Sequence, residues 1–135
     1  MEKIIKQATI DHLRHLMEFV KNNAVRYGFS QRRISEIELA TEEALMNIIS
    51  YAYEGSTGDV EITCKQDDDK CFIIDIVDTG KPFDVFTIKE PDLTRDVVER
   101  EVGGLGIHFI KQFMDDIKYR REEDKNILTL IVQKD

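Results

Sequence analysis

The sequence predicts an α+β protein: a mostly antiparallel sheet with helices on one face, stacked as a two-layer α/β sandwich. Three observations predict it. Apolar residues fall at helical spacing over 11–27 and 31–54, then switch to strict alternation from Val60. Four strand-like runs follow in pairs, each pair joined by a tight turn, and strands so joined must be antiparallel. Finally, 41% of the 135 residues are hydrophobic, enough for one core and short for two domains. One domain over 1–135 is therefore expected.

The elements read in order as follows. Residues 2–10 carry β-branched residues and a weak alternation, an edge strand. Asp11 can cap a helix running to about Tyr27, with Leu13, Leu16, Met17 and Val20 on one face, and Gly28 stops it. Ser30 can cap a second helix from about Gln31 to Glu54, whose stripe includes Ile34, Ile37, Leu45, Ile48 and Ile49. Val60, Ile62 and Cys64 alternate as a half-buried strand does, Asp67-Asp68-Asp69 is a turn, and Cys71–Asp78 reads as a central strand. Residues 81–102 show no clean period, and so long a stretch inside a compact domain is usually functional. Gly103-Gly104-Leu105-Gly106 opens a third helix to about Asp115. Residues 117–123 and 126–133 pair across Asp124-Lys125, with Leu128, Leu130 and Val132 facing one way; Lys125 and Asn126 read as turn residues.

Charge narrows the function. Nineteen basic against 27 acidic residues leave a net charge of −8. That excludes a general nucleic-acid binder, which needs a basic surface, and a polybasic membrane clamp. Met1-Glu2-Lys3-Ile4-Ile5-Lys6-Gln7 is followed by no apolar signal core, and no apolar run is long enough to span a bilayer, so a cytoplasmic chain is expected. Cys64 and Cys71 make no disulfide framework and read as two reduced thiols on neighbouring strands. His12 and His15 lack a third metal ligand and read as surface residues.

Three clusters could carry chemistry. On the second helix Glu36, Glu43, Asn47, Ser50 and Glu54 share one face. A solvated stripe would look the same, but Asn47 is a poor mid-helix residue with no capping work there. Glu43 and Asn47, one turn apart, could serve a hard cation and a nearby hydroxyl; Mg²⁺ takes oxygen ligands, few from protein and several from water and phosphate. Asp78-Thr79-Gly80 ends the central strand. It is either an ordinary turn or an acceptor for a ligand amino group. The glycine turn before the third helix lets backbone approach a ligand, and free N–H groups at a helix start favour an anion. No Gly-Lys-Ser or Gly-Lys-Thr follows, so it is not a P-loop.

Taken together and in this order, Glu43-Ala44-Leu45-Met46-Asn47, Asp78-Thr79-Gly80, a long lid and Gly104-Leu105-Gly106 resemble the GHKL (histidine-kinase-like) ATPases. The Glu-Ala-x-x-Asn form, the short chain and the tail Phe113-Met114-Asp115-Asp116 look most like the anti-sigma-factor serine/threonine kinases. The resemblance runs from about Ile4 to Val132 and implies a Bergerat-type ATP-binding fold with ATP and Mg²⁺ as cofactors. It implies that Glu43 is the general base and that Asn47 ligates Mg²⁺. Asp78 would accept from the adenine amino group, and Gly80 would let the chain turn beneath the base. Gly104 and Gly106, with Leu105 between them in the nucleotide site, would bring N–H groups to the phosphates, beneath a lid at about 81–102. Such a site binds an anion on an acidic chain because Mg²⁺ and local dipoles, not net charge, hold it.

The resemblance further implies a Mg-ATP-dependent serine/threonine protein kinase. Its substrate would be a small anti-sigma-factor antagonist of the STAS type, and a sigma factor would be its other client. The alternative is a nucleotide-responsive protein-binding module without kinase activity. The family's kinases often dimerise, and strand 2–10 would offer an unpaired edge for a homodimer.

Overall fold

The computed structural model describes residues 1–67, 70–82 and 108–134. The elements are β1 (Glu2–Gln7), α1 (Ile10–Arg26), α2 (Gln31–Asn47), a π-helical turn (Ile48–Ala52), β2 (Asp59–Asp67), β3 (Cys71–Asp78), α3 (His108–Phe113), β4 (Asp116–Glu122) and β5 (Lys125–Gln133). The five strands form one sheet in the order β1-β2-β3-β5-β4, every neighbouring pair antiparallel. The α+β reading of the sequence holds, with β3 in the centre and β1 on an edge.

Side-chain alternation builds the two layers. Val60, Ile62 and Cys64 of β2, Phe72, Ile74 and Ile76 of β3, and Leu128, Leu130 and Val132 of β5 point to one face and are buried. Against them pack Leu16, Val20 and Ala24 of α1, Ile37, Ala44 and Leu45 of α2, and Ile110 of α3. Each large aliphatic side chain so buried contributes about 1.5–3 kcal/mol. A slip of one residue in β3 would turn Phe72, Ile74 and Ile76 to the other face, so the pairing of Ile74 with Cys64 and Leu130 is strongly specified. Tyr27 and Phe29, which lead out of α1, lean on the Phe72 ring at 4.9 and 5.7 Å. Cys64 and Cys71 are both free thiols.

Several boundaries differ from the sequence reading. β1 stops at Gln7, and α1 is capped at Thr9 rather than Asp11. Thr9 is extended at φ −129° and ψ 159°, and its hydroxyl meets His12 Nδ1 instead of a backbone amide. Asp11 lies within the first turn, where its charge suits the free N–H groups. Ser30 caps α2 as expected, its Oγ accepting from Arg33 N at 3.2 Å. That helix leaves α-geometry after Asn47 and widens into the π turn, well short of Glu54. In the last hairpin the turn is Glu123-Asp124, both at positive φ (48° and 65°), one residue earlier than expected. Two left-handed residues are what a tight hairpin turn requires. Asn126 therefore belongs to β5 and is buried.

Candidate functional site

Helix α2 carries the first part of the site. Asn47 lies at its last position and is only 2% exposed, so the polar stripe of the sequence turns inward there. Neither its Oδ1 nor its Nδ2 has a hydrogen-bond partner among the described residues. A buried amide with both ends unpaired is costly and calls for a ligand or water. Glu43, one turn earlier, has one oxygen in the same condition, Oε1. Its other oxygen, Oε2, accepts from the backbone N–H of Phe109 at 3.1 Å and of Ile110 at 3.4 Å. Burial pushes the Glu43 carboxyl up to about 7, while the two N–H bonds pull it down. At neutral pH it is thus divided between acid and carboxylate, the condition that suits a general base.

The same helix grips the far end of α3. Arg33 donates through Nη1 to the Phe113 carbonyl at 2.7 Å and to Glu36 at 3.1 Å, and through Nη2 to Asp115 at 2.6 Å. A cation therefore meets the carbonyl end of α3 and a carboxylate meets its amide end, the polarity that helix termini favour. The spacing of ten between Arg33 and Glu43 gave no sign of this, because α3 lies far along the chain.

The second part sits where β3 ends. Asp78 is 5% exposed, and its Oδ1 accepts from Gly80 N and from Asn126 Nδ2, both at 2.9 Å. Burial raises its pKa, opposed by the Asn126 and Gly80 bonds and by the nearby Arg121 charge. Arg121 donates to the Gly80 carbonyl at 2.8 Å. Gly80 itself is wedged against the π turn: a Cβ there would lie 2.3 Å from the Ala52 carbonyl oxygen. The next residue, Lys81, donates its backbone N–H to that carbonyl at 3.0 Å and pairs through Nζ with Glu54. Tyr53 adds a second tie, its hydroxyl accepting from Thr79 N at 2.8 Å and donating to the Asp59 carbonyl at 2.6 Å. The π turn thus joins the end of Asn47's helix to the end of Asp78's strand. Such turns recur at functional sites.

The structure brings Glu43 and Asn47 together on α2, and Asp78 with Gly80 at the end of β3. Gly104, Leu105 and Gly106, and the lid beyond Pro82, lie outside the described residues. Asn126, Tyr53, Arg33 and Arg121 were missed by sequence reasoning. Asn126 becomes visible only through the β3–β5 register, which sets it opposite Asp78. An open groove of about 420 Å³ lined by Gln7, Asp59, Glu61, Val77 and Lys125 touches Asp78 but neither Glu43 nor Asn47. The orphaned Asn47 Oδ1 fits a hard cation, and the orphaned Glu43 Oε1 fits a nearby hydroxyl. Among the described residues no group of three or more His, Cys, Asp or Glu forms a metal cage.

Comparison with known proteins defines the class. The histidine kinase-like ATPase domain matches residues 7–132, and the chain belongs to that family. Within it the chain is similar to the serine-protein kinase RsbW of Bacillus cereus, 30% identical over 109 residues, 78% of this chain and 68% of that protein. The serine-protein kinase RsbW of Listeria monocytogenes is 30% identical over 110 residues, 78% of this chain and 69% of the relative. The fold matches the crystal structure of the RsbU and RsbW domains of Rv1364c from Mycobacterium tuberculosis, with a TM-score of 0.66 and 14% identity. That match covers 99% of this chain and a third (33%) of the other. It also matches the histidine kinase AdeS of Acinetobacter baumannii, with a TM-score of 0.52, 14% identity and coverage of 100% and 70%. No helix among the described residues is long and apolar enough to cross a membrane.

Proposed function

We propose that residues 1–135 form one ATP-binding domain that transfers the γ-phosphate of ATP to a serine or threonine of a small protein. The observation that carries this reading is the pairing of a buried, unpartnered Asn47 with a half-buried Glu43 one turn away. Asn47 would hold Mg²⁺ through its amide oxygen, and the ion when bound neutralises phosphate charge. Asp78 would accept from the adenine amino group. Gly80 would bring the chain close beneath the base, and Gly104, Leu105 and Gly106 would line the phosphates under the lid. Glu43 would take the proton from the acceptor hydroxyl as its oxygen bonds the γ-phosphorus and the bond to ADP breaks. Catalysis of this kind is mostly positioning and charge neutralisation.

The likeness to proteins named serine-protein kinase RsbW supports an anti-sigma type of kinase. By that likeness the substrate is an anti-sigma-factor antagonist of the STAS type and the second client a sigma factor. A cytoplasmic homodimer fits the same reading.

The test is to add purified protein and Mg-ATP to a bacterial lysate and search by mass spectrometry for a new phosphoserine or phosphothreonine. Glu43→Ala is the control. A single new phosphosite that the control lacks supports the kinase. Mg-ATP binding with no Glu43-dependent phosphosite would instead favour the binding module without kinase activity.

A further inference from the structure

The polar chain behind Asp78 is more elaborate than its role as an acceptor requires. Asn126 is 4% exposed and uses both ends of its amide. Its Nδ2 donates to Asp78 Oδ1 at 2.9 Å and to the Lys81 carbonyl at 2.8 Å. Its Oδ1 accepts from the Tyr119 hydroxyl at 2.5 Å. These partners fix which way the amide faces. Turned over, its oxygen would meet the Asp78 carboxylate and the Lys81 carbonyl, three acceptors together, and the Tyr119 hydroxyl would face an NH₂ group.

The consequence falls on Asp78. Two donors, Gly80 N–H and Asn126 Nδ2, converge on Oδ1. Both favour the ionised form and oppose the upward push that burial gives this carboxyl. Among the described residues Oδ2 accepts from none. Asp78 is thereby kept as an acceptor with one oxygen free, the chemistry that takes an amino group and rejects a carbonyl. Protonated, or turned about its side-chain bonds, the same carboxyl could donate to a ligand carbonyl and the discrimination would be lost.

We infer that Asn126, oriented by Tyr119, sets the base preference of the site by holding Asp78 as a single-minded acceptor, so that a 6-aminopurine is taken over a 6-oxopurine. This rests on the ATP-site reading above. Asn126 is a positioning residue: it acts through Asp78 and needs no contact with the ligand. It also ties the first residues after the Asp78 turn to β5 through the Lys81 carbonyl.

The probes are Mg-ATP and Mg-ITP, which differ at the purine 6-position, with affinity measured by calorimetry for wild type, Asn126→Leu and Tyr119→Phe. Wild type should bind ATP at least about tenfold tighter than ITP, the size of a hydrogen bond to a charged group. Asn126→Leu should weaken ATP about tenfold and leave ITP within about twofold, collapsing the ratio. Tyr119→Phe, which keeps the ring and the fold, should move the ratio the same way by a smaller factor. Circular dichroism checks that each variant is folded. Equal weakening of ATP and ITP in Asn126→Leu would mean a merely structural role and overturn the inference, as would an unchanged ratio in both variants. Wild type that binds ATP without preference over ITP overturns the inference alone. Wild type that binds neither overturns the ATP-site reading together with it.

Discussion

Glu43 Oε2 lies 3.1 Å from the backbone nitrogen of Phe109, so the side chain proposed as base also tethers α3. The proposed base and the tether are thus one carboxylate, and its protonation state would affect both.

The first prediction concerns pH and stability. The folded pKa of Glu43, about 7, lies above its ordinary 4.5. The folded state therefore holds the proton more tightly than the unfolded chain. This contribution to stability is complete below about pH 4.5 and is lost as pH rises through about 7. Glu43→Gln carries no charge and escapes the loss. Its melting temperature should match wild type near pH 4 and exceed it at pH 8. A difference that shrinks with rising pH would contradict the assignment.

Kinetics should follow the same group. If Glu43 is the base, kcat/KM for phosphotransfer climbs with pH through about 7 and levels above it, since the base must be ionised. Stopped assays with labelled ATP across pH 5.5–8.5 would read the profile. A flat profile over that range would assign the limb to no group near 7.

Asn47→Leu separates function from stability. It removes an amide whose two ends have no partner among the described residues and keeps the volume. The ligand-free protein should gain up to about 1–2 kcal/mol, the cost of a buried unsatisfied group. The Mg²⁺-dependent part of ATP affinity should disappear. Urea unfolding and calorimetry with and without Mg²⁺ check the two halves.

Gly80→Ala should cost about 1–3 kcal/mol, an overpacking penalty, because the new Cβ meets the Ala52 carbonyl backbone at 2.3 Å. Gly55→Ala is the comparison: it has open space but a φ of +71°, so it probes backbone strain without a clash. Denaturant midpoints for the two distinguish close approach from conformation.

Arg33→Met should loosen α3 more than the sheet. The Arg33 side chain is 14% exposed, and its guanidinium reaches Phe113, Glu36 and Asp115 at once. Hydrogen exchange should speed up at Ile110–Phe113 before it does in β3 or β5. Uniform acceleration would mean that Arg33 supports the whole domain and not one helix.

The core was readable because its signals are local. Val60, Ile62 and Cys64 alternate in the chain and alternate in the sheet. Ser30 announces a cap and makes one. Glu43 and Asn47 could be placed on one helix face by spacing alone. What escaped depended on chain segments meeting at a distance. Asn126 looked like a turn residue because hairpin turns accept Asn; only the pairing of β5 with β3 shows it facing Asp78. Arg33 carries no local signal of its task, since two of its partners, Phe113 and Asp115, lie 80 and 82 residues away. The widening after Asn47 has no sequence signal of its own, since Ile48–Ala52 fits an α-helical pattern equally well.

That widening links the lengths of two segments. A π turn closes its hydrogen bond over one more residue than an α turn. Removing a single residue from Ile48–Ala52 would let the helix run on regularly and would swing the Ala52 carbonyl away from Gly80 and Lys81. The strand end carrying Asp78 would then lose its seat on the helix carrying Asn47. Insertions and deletions that the sheet's outer turns could absorb are therefore barred from these five residues, and the count of residues between Asn47 and Tyr53 is as much a part of the site as the side chains on either side of it.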